Sequence, residues 1–291
     1  MIFAIKRFET HDGDGIRTTL FFKGCPLRCK WCHNPESFGM QRQIAFFQNL
    51  CTDCGICTEL CSANNLSDGI HIFDREACTL CGRCIDCCPR NAFLIYGEDR
   101  TARDIATELL RDEMFFKGSG GGVTFSGGEP LLQVELCIEI ARKLKKHGVN
   151  IAIDTCGFAP RKSFERILPY ADTFLYDLKA YDEDAHIRCT GKSNKIILEN
   201  LKFLDDIGSN IEIRIPYVPE YNDDQMEKIA KFLSPFRNIK KIRLLSYHDY
   251  ADGKYSALDI QNTLPPKLPN NADLEKAGKL IQNITKFVVL Y

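Results

Sequence analysis

The stretch Thr18-Thr19-Leu20-Phe21-Phe22-Lys23-Gly24-Cys25-Pro26-Leu27-Arg28-Cys29-Lys30-Trp31-Cys32-His33-Asn34-Pro35 decides how the rest of the chain reads. An apolar run ends at Phe22 and three cysteines spaced C-x3-C-x2-C follow at once, which places them in a loop at the end of a strand. Three thiolates hold three irons of a 4Fe-4S cluster and leave the fourth without a protein ligand. An open position on a redox-active metal is where a small molecule can bind and receive an electron. A zinc loop would need a fourth ligand that this stretch does not supply.

The composition agrees with metal chemistry inside an ordinary globular chain. Fifteen cysteines in 291 residues, with no export signal, point to ligation rather than disulfides. Hydrophobic residues at 44% and charged residues at 26% are enough for a large core. A net charge of -1 gives no general attraction to nucleic acid or anionic lipid, so neither is expected as a partner. No run of about 18 apolar residues occurs, and the expectation is a cytoplasmic monomer without a membrane span.

Between residues 48 and 97 the texture changes: cysteines dominate, lysine is absent, and helical periodicity is lost. Cys51-x2-Cys54-x2-Cys57-x3-Cys61 recurs as Cys78-x2-Cys81-x2-Cys84-x3-Cys88-Pro89, an internal duplication at a period of 27 residues. Each half matches the bacterial ferredoxin run, whose fourth cysteine ligates the cluster of the other half. Crossing the fourth ligand assigns Cys51, Cys54, Cys57 and Cys88 to one cluster and Cys78, Cys81, Cys84 and Cys61 to a second. Both are closed, so they suit electron transfer or structural support rather than substrate binding. Six acidic residues against three arginines in this segment also suit docking.

After Gly97 the pattern alternates. Thr101 reads as the N-cap of a helix from Ala102 to Phe115, and residues 130–147 carry Leu132, Leu136, Ile140 and Leu144 on one helical face. Strands are expected around Val123-Phe125, Ile151-Ile153, Thr173-Tyr176, Ile211-Ile215 and Ile242-Leu245. Helices between them are expected at residues 161–168, 195–204, 224–232 and 273–284. Such alternation implies a parallel sheet or open barrel with its chemistry at the carboxyl ends of the strands. Those ends carry Ser126-Gly127-Gly128-Glu129, Asp154-Thr155-Cys156-Gly157, Asp177-Leu178-Lys179 and Ser246-Tyr247-His248, with Arg214 inside another strand and Pro216 at its end.

The C-x3-C-x2-C loop ending His33-Asn34-Pro35-Glu36-Ser37 closely resembles that of the radical S-adenosylmethionine enzymes. Further shared motifs are Asp12-Gly13-Asp14-Gly15-Ile16-Arg17-Thr18, Gly120 to Leu132, Asp154-Thr155-Cys156-Gly157, Asp177-Leu178-Lys179 and Thr190-Gly191-x2-Asn194. Together with the double ferredoxin run, they resemble the glycyl radical enzyme activating enzymes with a ferredoxin-like insertion. The resemblance covers nearly the whole chain. It implies an α/β fold: a partial (β/α)6 TIM barrel formed by residues 1–47 and 98–291, interrupted by an α+β ferredoxin-like domain at residues 48–97. It implies three 4Fe-4S clusters, the first on Cys25, Cys29 and Cys32, with S-adenosylmethionine on the open iron. The implied activity is reductive cleavage of S-adenosylmethionine to a 5'-deoxyadenosyl radical, under anaerobic conditions. That radical abstracts a glycine alpha hydrogen from a partner glycyl radical enzyme, with flavodoxin or ferredoxin as electron donor.

Site roles follow from the same resemblance. Gly127 and Gly128 let backbone approach the ligand, Glu129 faces its ammonium, and Lys179 pairs with its carboxylate. Trp31 and Pro216 pack on adenine, Asp177 meets the ribose or orients Lys179, and His248 lies near the methionine carboxylate. Asp154 and Thr155 resemble a monovalent-cation site for Na+ or K+. Arg214 and Asp12 are the candidates for holding the partner's glycine loop. Cys87, Cys137, Cys156 and Cys189 stay unassigned. Two departures stand out: Asp14 replaces the family's usual proline, and Ser62 replaces the proline after the first fourth cysteine. Two other readings stay open, a radical enzyme acting on a small molecule or another peptide residue, and a non-catalytic electron-transfer protein.

Overall fold

A computed structural model describes all residues, 1–291. In chain order, the first strands are β1 (Ile2–Glu9), β2 (Arg17–Phe22), β3 (Gln43–Phe46), β4 (Asn64–Ser67) and β5 (Ile70–Phe73). Then come helix α1 (Arg83–Cys87), β6 (Phe93–Tyr96), α2 (Ala102–Leu109), α3 (Glu113–Ser119), β7 (Gly122–Gly127) and α4 (Val134–Lys145). The second half alternates: β8 (Asn150–Thr155), α5 (Arg161–Ile167), β9 (Thr173–Asp177), α6 (Glu183–Thr190), α7 (Lys195–Asp206), β10 (Ile211–Tyr217), α8 (Met226–Leu233) and β11 (Ile239–Ser246). The chain closes with α9 (Asp252–Leu258), α10 (Asn271–Ile284) and β12 (Val288–Leu290).

The main sheet runs β1-β2-β7-β8-β9-β10-β11-β12. All neighbours from β2 to β12 are parallel, and β1 alone is antiparallel. Its two faces follow from the strand period of two. Val123, Phe125, Ile151, Ile153, Phe174, Tyr176, Ile213 and Ile215 are fully buried in one core with Ile140, Phe164, Leu201 and Ile229 of the covering helices. Each such side chain contributes about 1.5–3 kcal/mol by leaving water. The intervening positions, Thr19, Thr124, Ser126, Asp154, Asp177, Glu212 and Arg214, form a polar opposite face. The loop after β1 crosses that face: Thr19 donates to Asp12 (2.8 Å) and Thr124 to the Asp12 carbonyl (2.6 Å). Arg17, 2% exposed, ties three strands together by donating to Thr124 (2.7 Å), the Val123 carbonyl (2.7 Å) and Asn150 (3.1 Å).

Several elements differ from the sequence expectation. Residues 102–115 do not form one helix: a 3-10 turn at Leu110–Asp112 separates α2 from α3, where Asp112 turns in to accept from Thr18 (2.7 Å). Thr101 does cap α2, accepting from the Asp104 amide (3.1 Å). Leu132 lies in a 3-10 turn before α4 and is exposed. Strand β1, α6, α9 and β12 carry no clean apolar stripe and were not expected.

The cysteine-rich segment leaves the barrel through an antiparallel stem, β3 with β6, so its paired stem reaches back to Gln43. Strands β4 and β5 form a second hairpin within it. The segment docks on α9: Ala45 and Tyr96 pack with Ala257 and Leu258, and Arg75 donates to the carbonyls of Ile44 (2.7 Å) and Ala257 (2.5 Å). No helix is long and apolar enough to cross a membrane.

Candidate active site

A cavity of about 650 Å³ opens at the carboxyl ends of the parallel strands. Cys25, Cys29 and Cys32 line one wall with Trp31 and His33. Gly127, Gly128, Asp154, Thr155, Cys156, Asp177, Lys179, Pro216 and His248 line the rest. Five strand ends and the loop after β2 therefore meet where the alternation expected them to.

The cysteine loop is fixed from below by backbone bonds. Arg28 N donates to the Thr190 carbonyl (2.8 Å), Lys30 N to that of Cys189 (2.9 Å), and Tyr255 Oη to that of Cys32 (3.0 Å). Leu27, Trp31, Cys189, Val218 and Tyr247 pack beneath it, with Trp31 meeting Tyr221 edge-on at 6.2 Å. Burial pushes the Cys29 thiol up, and the Cys32 thiol up to about 12. The Cys156 side chain stands against Cys25 and draws its thiol below the usual value. A metal replaces those protons, and the donor set, three cysteines on the wall of one cavity, fits a cluster with one open iron.

Lys179 is nearly buried and its Nζ donates to Asp177 Oδ2 at 2.6 Å. Burial opposes its charge, yet Asp177, Cys29 and Cys156 hold the ammonium's pKa well above its ordinary value. His248 stacks on His33 with centroids 3.9 Å apart, and the His248 carbonyl meets His33 Nε2 at 2.8 Å. Its own Nδ1 is buried without a protein partner.

The remaining candidates make contacts within the protein. Glu129 is fully buried and does not line the cavity. Its carboxylate accepts from Thr155 Oγ1 (2.8 Å), Cys156 N (2.8 Å) and Leu131 N (3.0 Å), so it anchors the turn after β8. The glycines line the cavity, and their missing methyls point at protein. A Cβ on Gly127 would lie 2.5 Å from Phe22 N, and one on Gly128 would lie 2.2 Å from Gly24 O. Arg214 and Asp12 do not line the cavity. Arg214 is 5% exposed and spends itself on Asp12 (3.4 Å), Asp154 (3.5 Å), Glu212 (3.7 Å) and the His11 carbonyl (2.5 Å), pinning the loop after β1. Asp14, in place of the usual proline, pairs with Lys241 at 2.6 Å and supplies an ionic tether where a ring would have supplied stiffness.

Sequence reasoning missed His11, Arg243, Leu244, Leu245 and Tyr291 on the cavity wall. None belongs to a motif, so no local signal marked them. In the insertion, Cys51, Cys54, Cys57 and Cys88 line one small cavity, the crossed set expected for the first cluster. Cys61, Cys78 and Cys81 gather around Cys84, whose thiol is pushed up to about 12 by burial and by those neighbours. No three such side chains anywhere converge as a single ion demands, whereas the thiolates of a cubane bind separate irons.

Known proteins resemble this chain over most of its length. Residues 75–233 match the family model described as the Radical SAM superfamily. The chain is 43% identical over 265 residues to the trans-4-hydroxy-L-proline dehydratase activating enzyme of Clostridioides difficile, covering 89% of this chain and 87% of that protein. It is 40% identical over 294 residues to the choline trimethylamine-lyase activating enzyme of Oleidesulfovibrio alaskensis, covering 97% and 94%. Among solved structures, a domain of pyruvate-formate lyase-activating enzyme from Bacteroides vulgatus superposes with a TM-score of 0.50 at 26% identity, covering 58% of this chain and 97% of that one. The chain belongs to the radical SAM superfamily and, within it, to the activating enzymes of glycyl radical enzymes.

Proposed function

We propose that this chain reductively cleaves S-adenosylmethionine and installs a glycyl radical in a partner glycyl radical enzyme. The observation that carries the reading is the placement of Cys25, Cys29 and Cys32 on one cavity wall, with the Lys179–Asp177 pair among the other lining residues. A cluster held by Cys25, Cys29 and Cys32 would supply one electron to the sulfonium, giving methionine and a 5'-deoxyadenosyl radical. The protein's part is positioning and exclusion of water. Lys179 offers its ammonium to the methionine carboxylate while Asp177 fixes its direction. Trp31 and Pro216 give apolar walls for adenine, and His248 Nδ1 is free for a polar group of the ligand. A Na+ or K+ ion at Asp154 and Thr155 would share the Asp154 carboxylate with Arg214 and Ser126.

The insertion, read as a ferredoxin-like domain, carries two further 4Fe-4S clusters and receives electrons from flavodoxin or ferredoxin. Support comes from the crossed cysteine set around one cavity and the second set around Cys84. Anaerobic reconstitution is expected to give about 12 irons per chain, and a value near 4 refutes the two added clusters. With reductant, S-adenosylmethionine and a partner enzyme, the expected result is 5'-deoxyadenosine together with a doublet glycyl signal by electron paramagnetic resonance. If 5'-deoxyadenosine forms with no glycyl signal on any candidate partner, the enzyme acts on another substrate. If Cys29→Ala leaves function intact and no S-adenosylmethionine is cleaved, the chain is an electron carrier.

A further inference from the structure

One imidazole in the insertion has no task in the reading above. His71, in β5, is 3% exposed, and its Nε2 stands 3.3 Å from Cys57 Sγ. Phe46 and Phe93 enclose the ring edge-on, with centroids at 4.8 and 5.8 Å. Its backbone N–H donates to Asp53 Oδ1 (2.8 Å), which ties β5 to the loop carrying Cys51 and Cys54. Nδ1 is buried and has no partner. A thiolate only accepts, so the ring proton belongs on Nε2, aimed at sulfur, and Nδ1 is a bare lone pair. The ring's one polar contact is thus a cluster ligand, in apolar surroundings that strengthen such a bond.

The internal repeat supplies the comparison. One backbone bond to sulfur is matched between the halves: Asp53 N donates to Cys51 and Leu80 N to Cys78, both at 3.4 Å, while Ala92 N donates to Cys88 (3.3 Å) on the His71 side alone. The side-chain bond is not matched either. No side-chain nitrogen donates to sulfur at Cys61, Cys78, Cys81 or Cys84, and the Thr79 hydroxyl beside Cys81 sits at the exposed surface. Reduction adds one negative charge to a cluster, and part of it resides on the sulfurs. An N–H donor therefore favours the reduced form and raises the potential.

We infer that His71 is a positioning residue that makes the two insertion clusters unequal. It donates an N–H···S hydrogen bond to Cys57 and raises the potential of the cluster on Cys51, Cys54, Cys57 and Cys88 above that of its neighbour. An electron entering the insertion from a flavodoxin or ferredoxin then rests on the His71 side. The inference depends on the two-cluster reading.

The test is a potentiometric titration of the anaerobically reconstituted full chain, followed by electron paramagnetic resonance, in a Cys29→Ala background that removes the barrel cluster's signal. Two midpoints are expected, and Cys54→Ala should abolish the upper one. His71→Phe keeps the aromatic packing and removes the donor. It should lower the reduced-to-oxidised ratio of the upper cluster about tenfold at fixed potential, about 59 mV for one electron, and leave the other cluster unmoved. His71→Gln, which keeps an N–H, should restore most of the shift. Should His71→Phe load fewer irons, His71→Leu is titrated by the same criterion. Unchanged midpoints in a fully loaded donor-less variant, or equal shifts in both, overturn the inference while leaving the two clusters standing. An iron content near 4 in the unaltered protein overturns the two-cluster reading itself.

Discussion

Replacing Gly128 by alanine tests whether glycine is there for the ligand or for the protein. The added Cβ would lie 2.2 Å from Gly24 O and 2.7 Å from Gly24 C, whereas an easy carbon–oxygen contact needs about 3.3 Å. The two backbones must part by about 1 Å. Neither is free to do so: Gly24 O accepts from Glu129 N (2.8 Å), and Gly24 N donates to the Ser37 carbonyl (2.7 Å). The displacement passes to Cys25, the next residue and the first of the three cysteines. Overpacking of this kind costs about 1–3 kcal/mol, and a misplacement of about 1 Å at a reacting centre costs about 100-fold in rate. The assay is 5'-deoxyadenosine formation under reductant with iron content measured alongside, plus urea unfolding. Gly118→Ala is the control. It lies in α3 with nothing within 4 Å of the new methyl, and should gain up to about 1 kcal/mol without touching the rate. If Gly128→Ala cleaves S-adenosylmethionine at close to the original rate with unchanged stability, the backbone contact is not what this glycine serves.

Three further outcomes follow from buried polar groups. Arg214→Leu strands the Asp12 and Asp154 carboxylates, and breaking such a buried pair costs about 3–5 kcal/mol; urea midpoints should show it, with Asp12→Asn in the same chain costing less than the sum of the two. Glu129→Gln places an amide N–H against one of three donors and should cost about 2–3 kcal/mol, read as faster hydrogen exchange at the Cys156 amide. Lys23 is fully buried, donates to the Glu36 carbonyl (2.6 Å), and burial pushes its pKa down to about 8 from 10.5. Across that window the unfolded chain binds the extra proton, so this group adds stability as pH rises from about 8 to 10.5. Lys23→Met should remove that rise from the unfolding midpoints, and an identical pH profile in both proteins would show that Lys23 is not held neutral.

Much of the site could be read in advance because its chemistry sits in short runs. The cysteine spacing, the duplicated ferredoxin run and the polar residues closing successive strands are local signals; folding brought the first and last to one cavity and half of the ferredoxin cysteines to another. What the sequence left open shares a physical cause. A glycine shows that a Cβ is forbidden, but not on which side: at Gly128, which lines the cavity, the missing methyl points at Gly24. Glu129 and Arg214 show charge at a strand end or within a strand, but not whether the partner is a substrate or another buried group. Arg214 proved to serve Asp12, some two hundred positions away, a pairing that no local pattern records. Helix α6 was missed because Ala185, Ile187 and Cys189 alternate with polar residues and leave no helical stripe.

The stem of the insertion has a consequence for how such a chain can vary. Strands β3 and β6 run side by side, and Gly97 packs so tightly on the other arm that a methyl there would lie 3.1 Å from Arg42 Cα. The cysteine-rich segment thus leaves and re-enters through a single doorway. Closing that doorway with a short turn would preserve the order and direction of every barrel strand, and the entropy of loop closure changes only slowly with what is looped out. Such a segment could be lost without re-threading the sheet, and its loss would leave the α9 surface around Ala257 and Leu258 as the scar to be repaired.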